Sequence, residues 1–119
     1  MHRNTTLLLF AFLTAALLLA NCGPGAPPEL QVDLDARDIE WNITTIETKV
    51  GQKVTIRLEN VGALDHNLVI EDFGIDTEVS PGDIQVISFI VDAAGNYDFI
   101  CDIPGHAEAG MVGQIVASE

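Results

Sequence analysis

Three residues near the C-terminus carry side chains that bind soft metal ions, and they are evenly spaced. Cys101, His106 and Met111 supply a thiolate, an imidazole and a thioether, each five residues after the one before. Pro104-Gly105 and Gly110 lie between them and favour tight turns that bring the three side chains to one point. A thiolate selects soft or borderline metals, and imidazole suits copper. This spacing therefore predicts a metal-binding loop.

A further ligand has to come from elsewhere in the chain, and His66 is the candidate. Apart from His2 it is the only other histidine. Taken singly, each of these residue types has an ordinary role, since a buried cysteine or methionine is more often core packing. Two histidines and a cysteine in a plane, with a weak axial methionine, form the site of blue-copper electron-transfer proteins. The combination predicts one copper ion held by His66, Cys101, His106 and Met111.

The elements that position these ligands are strands, because apolar residues recur at every second position. The segment 53–59 alternates strictly between aliphatic and polar residues. The segments 66–70 and 97–101 alternate in the same way and place His66 and Cys101 on their apolar faces. A period of two residues is typical of strands with one buried face.

Composition and turn residues extend this pattern along the chain. Segments 39–46 and 83–91 are rich in β-branched residues, which favour strands. Turn residues separate the runs, among them Pro81-Gly82 and Gly95-Asn96. No segment of the predicted domain has the periodicity of an amphipathic helix. We expect an all-β domain, built as an antiparallel sandwich or barrel.

The N-terminal region has the pattern of a secretory signal peptide. Arg3 precedes an uncharged run of apolar and small residues at 7–20, which is shorter than the roughly 20 apolar residues of a membrane span. The run ends in Leu19-Ala20-Asn21-Cys22, which resembles a bacterial lipobox. We expect residues 1–21 to be removed, Cys22 to be lipidated, and the protein to be exported to the periplasm or the outer face of the cell membrane. The alternative is ordinary cleavage nearby, which would leave Cys22 as a spare thiol.

A linker then separates the anchor from the folded domain. Residues 23–28 contain three prolines and two glycines, a composition that suits a semi-stiff spacer and no regular element. We therefore expect residues 22–28 to be the lipidated cysteine and linker, and residues 29–119 to form one domain. A disulfide between Cys22 and Cys101 is not expected, because one lies in the tail and the other in the metal loop.

Charge narrows the set of partners. Eighteen acidic and four basic residues follow Cys22, a net charge of −14. Such a chain repels nucleic acid and anionic lipid and attracts cationic proteins. We expect a monomer that exchanges electrons with a basic redox protein, such as a c-type cytochrome or another exported carrier. Asp102 and Glu108 flank His106 and would border the site; the alternative is that the acidity serves only solubility.

Specific motifs resemble those of the cupredoxin family. The Cys-x4-His-x4-Met pattern of 101–111, with Pro-Gly before the histidine and Gly before the methionine, resembles the copper loop of rusticyanin and sulfocyanin. Residues 65–70 resemble the His-Asn segment of plastocyanin and azurin. Segments 81–83 and 95–101 are similar to the turn and strand that precede the cysteine in this family. The resemblance covers about residues 50–119.

The resemblance implies a Greek-key β-sandwich or barrel with a type 1 copper centre. In such a centre His66, Cys101 and His106 are equatorial ligands and Met111 is axial. Asn67 would then tie the two ligand segments together and help to tune the sulfur.

The resemblance also implies that His106 reaches the surface and is the electron exit. The small apolar residues of 103–110 would form a rim around it that lets a partner approach closely. The same residues are also those that any tight loop requires.

The main hypothesis is therefore a one-electron carrier and not an enzyme, because four protein ligands leave no open coordination position. The alternative is a periplasmic copper carrier without a redox role. Such carriers usually present methionine- or histidine-rich ligands, and this chain has 2 methionines. A dinuclear copper site would need a second cysteine where Gly105 stands. Zinc is disfavoured because a thioether is a poor zinc ligand.

Overall fold

The computed structural model describes residues 23–119, so the predicted signal peptide and Cys22 lie outside it. This part of the chain contains nine β-strands, one 3-10 turn and no α-helix, which confirms the expected all-β class. No helix within it has the length and apolar character that crossing a membrane takes. The strands are β1 Leu30–Arg37, β2 Glu40–Trp41, β3 Thr45–Lys49, β4 Lys53–Asn60, β5 His66–Ile70, β6 Ile75–Val79, β7 Ile84–Ile90, β8 Gly95–Ile100 and β9 Val112–Ser118, with the 3-10 turn at Glu71–Phe73.

Two sheets form a sandwich. Their strand orders are β2-β1-β4-β7 and β3-β9-β8-β5-β6. Most neighbours run antiparallel, but β1 with β4 and β3 with β9 are parallel. The prediction of an antiparallel sandwich is wrong for these two pairs. Parallel neighbours need a crossover connection. Between β1 and β4 the chain crosses to the opposite sheet, where it forms β3, and then returns.

The core lies between the two sheets and is filled by the alternating residues of the strands. Val54, Ile56 and Leu58 on β4 have no exposed surface, and neither do Leu68 and Ile70 on β5. Burying a side chain of this size contributes about 1.5–3 kcal/mol, so the alternation decides which face of each strand packs inward. The faces predicted for these two strands are confirmed.

The strands before residue 50 differ from the predicted ones. Segment 39–46 is not one strand, since β2 ends at Trp41 and β3 begins at Thr45. Between them the Asn42 side chain accepts a hydrogen bond from the backbone N–H of Asp35 at 2.7 Å. Side-chain hydrogen bonds to the backbone offer an alternative to strand pairing. This bond lies where the chain leaves the first sheet for the second.

The two ends of the sandwich have different roles. β1 begins at Leu30, beside the first residues of β4, and the Gln52 side chain donates a hydrogen bond to the Pro28 carbonyl at 2.7 Å. The linker thus joins the domain at this end, which we call the linker pole. β4 ends at Asn60, and the chain turns there towards His66 at the start of β5. We call this opposite end the site pole.

Candidate metal centre

Three of the four predicted ligands converge at the site pole. The Cys101 Sγ lies 3.4 Å from Nδ1 of His106 and 3.8 Å from Nδ1 of His66. The three potential ligand atoms all lie within 4.8 Å of one another. Residues that are far apart in the sequence therefore present one thiol and two imidazoles to a single point.

Backbone hydrogen bonds fold the loop of residues 101–111. The His106 N–H donates to the carbonyl three residues earlier at 2.9 Å, and the Met111 N–H donates to the His106 carbonyl at 3.0 Å. Gly105 and Gly110 have φ angles of 89° and 107°, in a region that other residues rarely adopt. The glycines of the loop thus permit the turns that carry the imidazole back towards the cysteine.

Met111 reaches the same pole through its backbone. The Cys101 N–H donates to the Met111 carbonyl at 3.1 Å, at the point where β8 ends and β9 is about to begin. Met111 and Cys101 both have no exposed surface. The fourth predicted ligand is therefore a buried neighbour of the cysteine.

His66 is almost fully enclosed, with 1% of its surface exposed. Burial lowers the pKa of His66, and the nearby imidazole of His106 lowers it further. The carboxylates of Asp38 and Asp65 act in the opposite direction but do not reverse the shift. The environment thus favours neutral imidazole, the form in which histidine binds a metal ion.

Asn67 joins the two segments that carry ligands. Its Oδ1 accepts a hydrogen bond from the Asp102 N–H at 3.0 Å, and its Nδ2 donates to Oδ1 of Asp102 at 2.6 Å and to Oδ1 of Asp76 at 3.1 Å. Asn67 follows His66 in sequence and Asp102 follows Cys101, so these bonds link the residues next to two ligands. The tie between the segments is present, and its effect on the sulfur stays a prediction.

The separations between the donor atoms fit a metal ion placed among them. Bonds of about 2.0–2.3 Å, as zinc forms with imidazole and thiolate, would separate nitrogen and sulfur by about 3.8 Å in a trigonal plane. The two measured separations are 3.4 and 3.8 Å. A thiolate, two imidazoles and a neighbouring thioether make up the donor set that copper prefers. The residues present therefore fit a copper ion.

An acidic cleft of about 420 Å³ opens beside the ligands. Its lining includes the carboxylates of Asp65, Asp76, Glu78 and Asp102. The sequence drew attention to Asp102 and Glu108 but not to the pair on β6, because no strand was predicted there. Asp76 and Glu78 come next to the site only through the pairing of β6 with β5.

Comparison with known proteins agrees with the fold and with copper as the metal. Residues 8–117 match the family model of the Cupredoxin-like domain. The chain therefore belongs to the cupredoxin family, and its cofactor is copper. Auracyanin-A of Chloroflexus aurantiacus is 24% identical to it over 157 aligned positions, which cover 94% of this chain and 96% of that protein.

Solved structures show the same architecture. Reduced auracyanin from Roseiflexus castenholzii superposes with a TM-score of 0.68 at 20% identity, over 78% of this chain and 100% of that one. The blue copper protein auracyanin A from Chloroflexus aurantiacus gives 0.66 at 20% identity, over 77% and 100%. A blue copper oxidase from Nitrosomonas europaea gives 0.68 at 18% identity, over 76% of this chain and 39% of that one. At these identities the likeness shows the fold, and the resemblance to rusticyanin and sulfocyanin stays a prediction.

Proposed function

We propose that this protein is a one-electron carrier with a single type 1 copper ion, and that it is not an enzyme. The observation that carries the proposal is the enclosed donor set. His66, Cys101 and Met111 are buried, and His106 alone among the four is partly exposed. Four protein ligands around copper leave no position for a substrate, whereas an electron needs only a partly exposed ligand.

The copper ion supplies the one-electron couple between Cu(I) and Cu(II), and the chain supplies a frame around it. The Asn67–Asp102 bonds and the backbone bond between Cys101 and Met111 hold the ligand segments together. Little then has to move when the oxidation state changes. Met111 would supply a weakly bound thioether, and the identity of this ligand tunes the reduction potential.

Electrons would enter and leave through His106. Its ring is partly exposed, and the neighbouring Ile103, Pro104 and Ala107 are small or apolar and lie at or near the surface. Weak redox encounters use small contact areas, below about 1,200 Å². A partner could then approach the imidazole closely and separate quickly.

The partner in this proposal is a basic redox protein, such as a c-type cytochrome or another exported carrier. The acidic cleft supports it, because Asp65, Glu78 and their neighbours place negative charge beside the ligands. Complementary charge mainly raises the rate of encounter.

The location in this proposal is the periplasm or the outer face of the cell membrane, with lipid on Cys22. The position of the linker supports such an anchor. A tether at the linker pole would hold the domain by the end remote from His66 and leave the site pole free for a partner.

Copper titration with voltammetry tests the electron-carrier proposal. Cu(II) added to the metal-free protein should produce the intense thiolate-to-copper absorption at one equivalent, and the loaded protein should show a reversible one-electron wave. Cys101→Ser should fold and stay colourless, and Cys22→Ser, which also removes one thiol, should turn blue. A blue protein without a reversible couple would favour the copper carrier. A Cys101→Ser protein that turned blue would refute the site.

A further inference from the structure

One nitrogen of the buried His66 ring has no hydrogen-bond partner within residues 23–119. Nδ1 faces the Cys101 sulfur at 3.8 Å, whereas Nε2 is buried without a hydrogen-bond partner among residues 23–119. A metal-binding histidine ordinarily donates its second ring N–H to a carbonyl, a carboxylate or water, and that bond fixes the orientation of the ring. No hydrogen bond among these residues fixes the ring at Nε2, so the position of His66 depends on the segment that leads into it.

The loop of residues 61–65 joins β4 to His66 at the start of β5. This loop packs against the turn that follows β1, where a Cβ on Gly62 would lie 3.1 Å from the Arg37 carbonyl carbon. The contacts between the turn and the loop therefore bear on where His66 is held.

The turn after β1 has an unfavourable conformation. Ile39 has a φ of 66°, the one positive φ outside glycine in the part of the chain that the structure describes. The left-handed region is unfavourable for a β-branched residue. Strained conformations persist only where their surroundings hold them, and they concentrate at functional sites. Some contact must therefore hold this turn.

Asp38 makes that contact. Its Oδ1 accepts a hydrogen bond from the Ala63 N–H at 2.7 Å. Next to it, the Val61 N–H donates to the Ala36 carbonyl at 2.9 Å. Both donors lie in the loop of residues 61–65, so the turn is fastened to the segment that leads directly into the buried histidine.

Gly62 allows the turn and the loop to pack closely. A Cβ at this position would lie 2.5 Å from Oδ1 of Asp38 and 3.0 Å from the Asp38 backbone nitrogen. Any larger residue would push Asp38, and with it Arg37, away from the loop. The absence of a side chain at Gly62 is thus part of the same arrangement.

We propose that Asp38 is a positioning residue for His66: it clamps the strained turn onto the loop of residues 61–65 and thereby holds in place the segment that leads into the imidazole. The inference rests on the proposed copper site, because it assigns the clamp to a copper ligand. Asp38 is itself exposed, so core packing does not explain its contacts. Its carboxylate acts through the loop that leads into His66.

Three aspartate variants separate the clamp from simple loss of charge. Asp38→Ala removes the acceptor for Ala63, whereas Asp38→Asn removes the charge but keeps an oxygen that can accept the bond. Asp33→Asn removes an exposed charge from β1, which leads into this turn, and is the matched control. We expect Asp38→Ala to weaken Cu(II) binding about tenfold or more, and the two asparagine variants to stay within about twofold of wild type, given the 10–100-fold effects typical of residues behind metal ligands. The copper EPR spectrum should change in Asp38→Ala alone.

Gly62→Ala keeps the inference testable if Asp38→Ala does not fold. It should reproduce the weaker copper binding with the carboxylate intact, because the added methyl displaces Asp38. In the metal-free protein, the NMR signals of the His66 ring should shift in Asp38→Ala and Gly62→Ala but not in Asp38→Asn. Folded variants with wild-type copper affinity and unchanged ring signals would overturn the inference. A wild-type protein that never turns blue would overturn the proposed function instead, and the ring signals would still decide whether Asp38 positions His66.

Discussion

Removing the hydrogen bonds of Asn67 should have the clearest effect on both the stability of the fold and the affinity for copper. We expect Asn67→Leu to destabilise the metal-free protein and to destabilise the copper form more. Leucine has the same branching as asparagine and a larger volume, and it suits a site that is 6% exposed, so the change deletes the bonds without opening a cavity. Three hydrogen bonds are lost, two to Asp102 and one to Asp76.

The magnitude follows from these three bonds. Each contributes about 0.5–1.5 kcal/mol net, and the aspartate partners are exposed, so water replaces part of what they lose. The expected loss in the metal-free protein is about 2–3 kcal/mol, which corresponds to a fall in Tm of about 10–20 °C for a domain of this size. Changing a residue behind a metal ligand typically lowers metal affinity 10–100-fold, so the copper form should lose a further 1.4–2.8 kcal/mol, roughly.

Denaturant unfolding measures both losses. Trp41 is the one tryptophan of the chain and is 5% exposed, so its fluorescence reports global unfolding with and without copper. Gln114→Leu is the matched control, because it removes an exposed amide that makes a single bond to Asp98 and should change stability by less than about 0.5 kcal/mol. An Asn67→Leu protein that behaves like this control would refute the stabilising role of the Asn67 hydrogen bonds. Equal losses of free energy with and without copper would show that these bonds have no bearing on the copper ligands.

Three further outcomes are expected. Met111→Leu should keep the blue colour and raise the reduction potential measured by voltammetry, because a weak electron-pair donor to copper is lost; an unchanged potential would count against an axial role. Mass spectrometry of the protein from a membrane fraction should show a chain that starts at Cys22 with lipid attached, and an unmodified N-terminus at another residue would contradict the anchor. The double variant Glu78→Gln/Glu108→Gln should transfer electrons to a basic cytochrome about threefold more slowly than wild type at 10 mM salt, and at nearly the wild-type rate at 0.15 M. Charges about 10 Å apart interact weakly, and the higher salt concentration screens them. Variant and wild-type rates that are equal at both salt concentrations would favour docking through apolar contacts alone.

The candidate copper ligands could be proposed from the sequence because their chemistry is local. Cys101, His106 and Met111 lie within one loop, and the glycines that bend the loop lie there as well. His66 could be added because histidine is scarce in this chain. Strand faces were also predictable, since the alternation in 53–59 needs no knowledge of the partner strands.

Features that depend on strand order could not be predicted in the same way. β1 and β4 pair in parallel because the chain forms a strand of the other sheet between them. The alternation of apolar and polar residues within a strand does not predict such a crossover. The contact between Asp76 and Asn67 has the same origin, since it requires β6 to lie beside β5. Asp38 was missed because its partner is 25 positions away, at Ala63, and nothing in its own neighbourhood marks it.

Asp102 shows why the choice of charge variants has to follow the structure. In sequence it flanks His106 as Glu108 does, which makes the two equivalent candidates for testing partner docking. In the folded protein the Asp102 carboxylate lines the acidic cleft and also accepts the 2.6 Å bond from Asn67. Removing its charge would therefore disturb the frame behind the ligands as well as the surface that a cationic partner meets. Glu78 and Glu108 make no hydrogen bond or ion pair to another side chain in residues 23–119, so a change in rate at these two positions reports on docking, whereas the same change at Asp102 would have two causes.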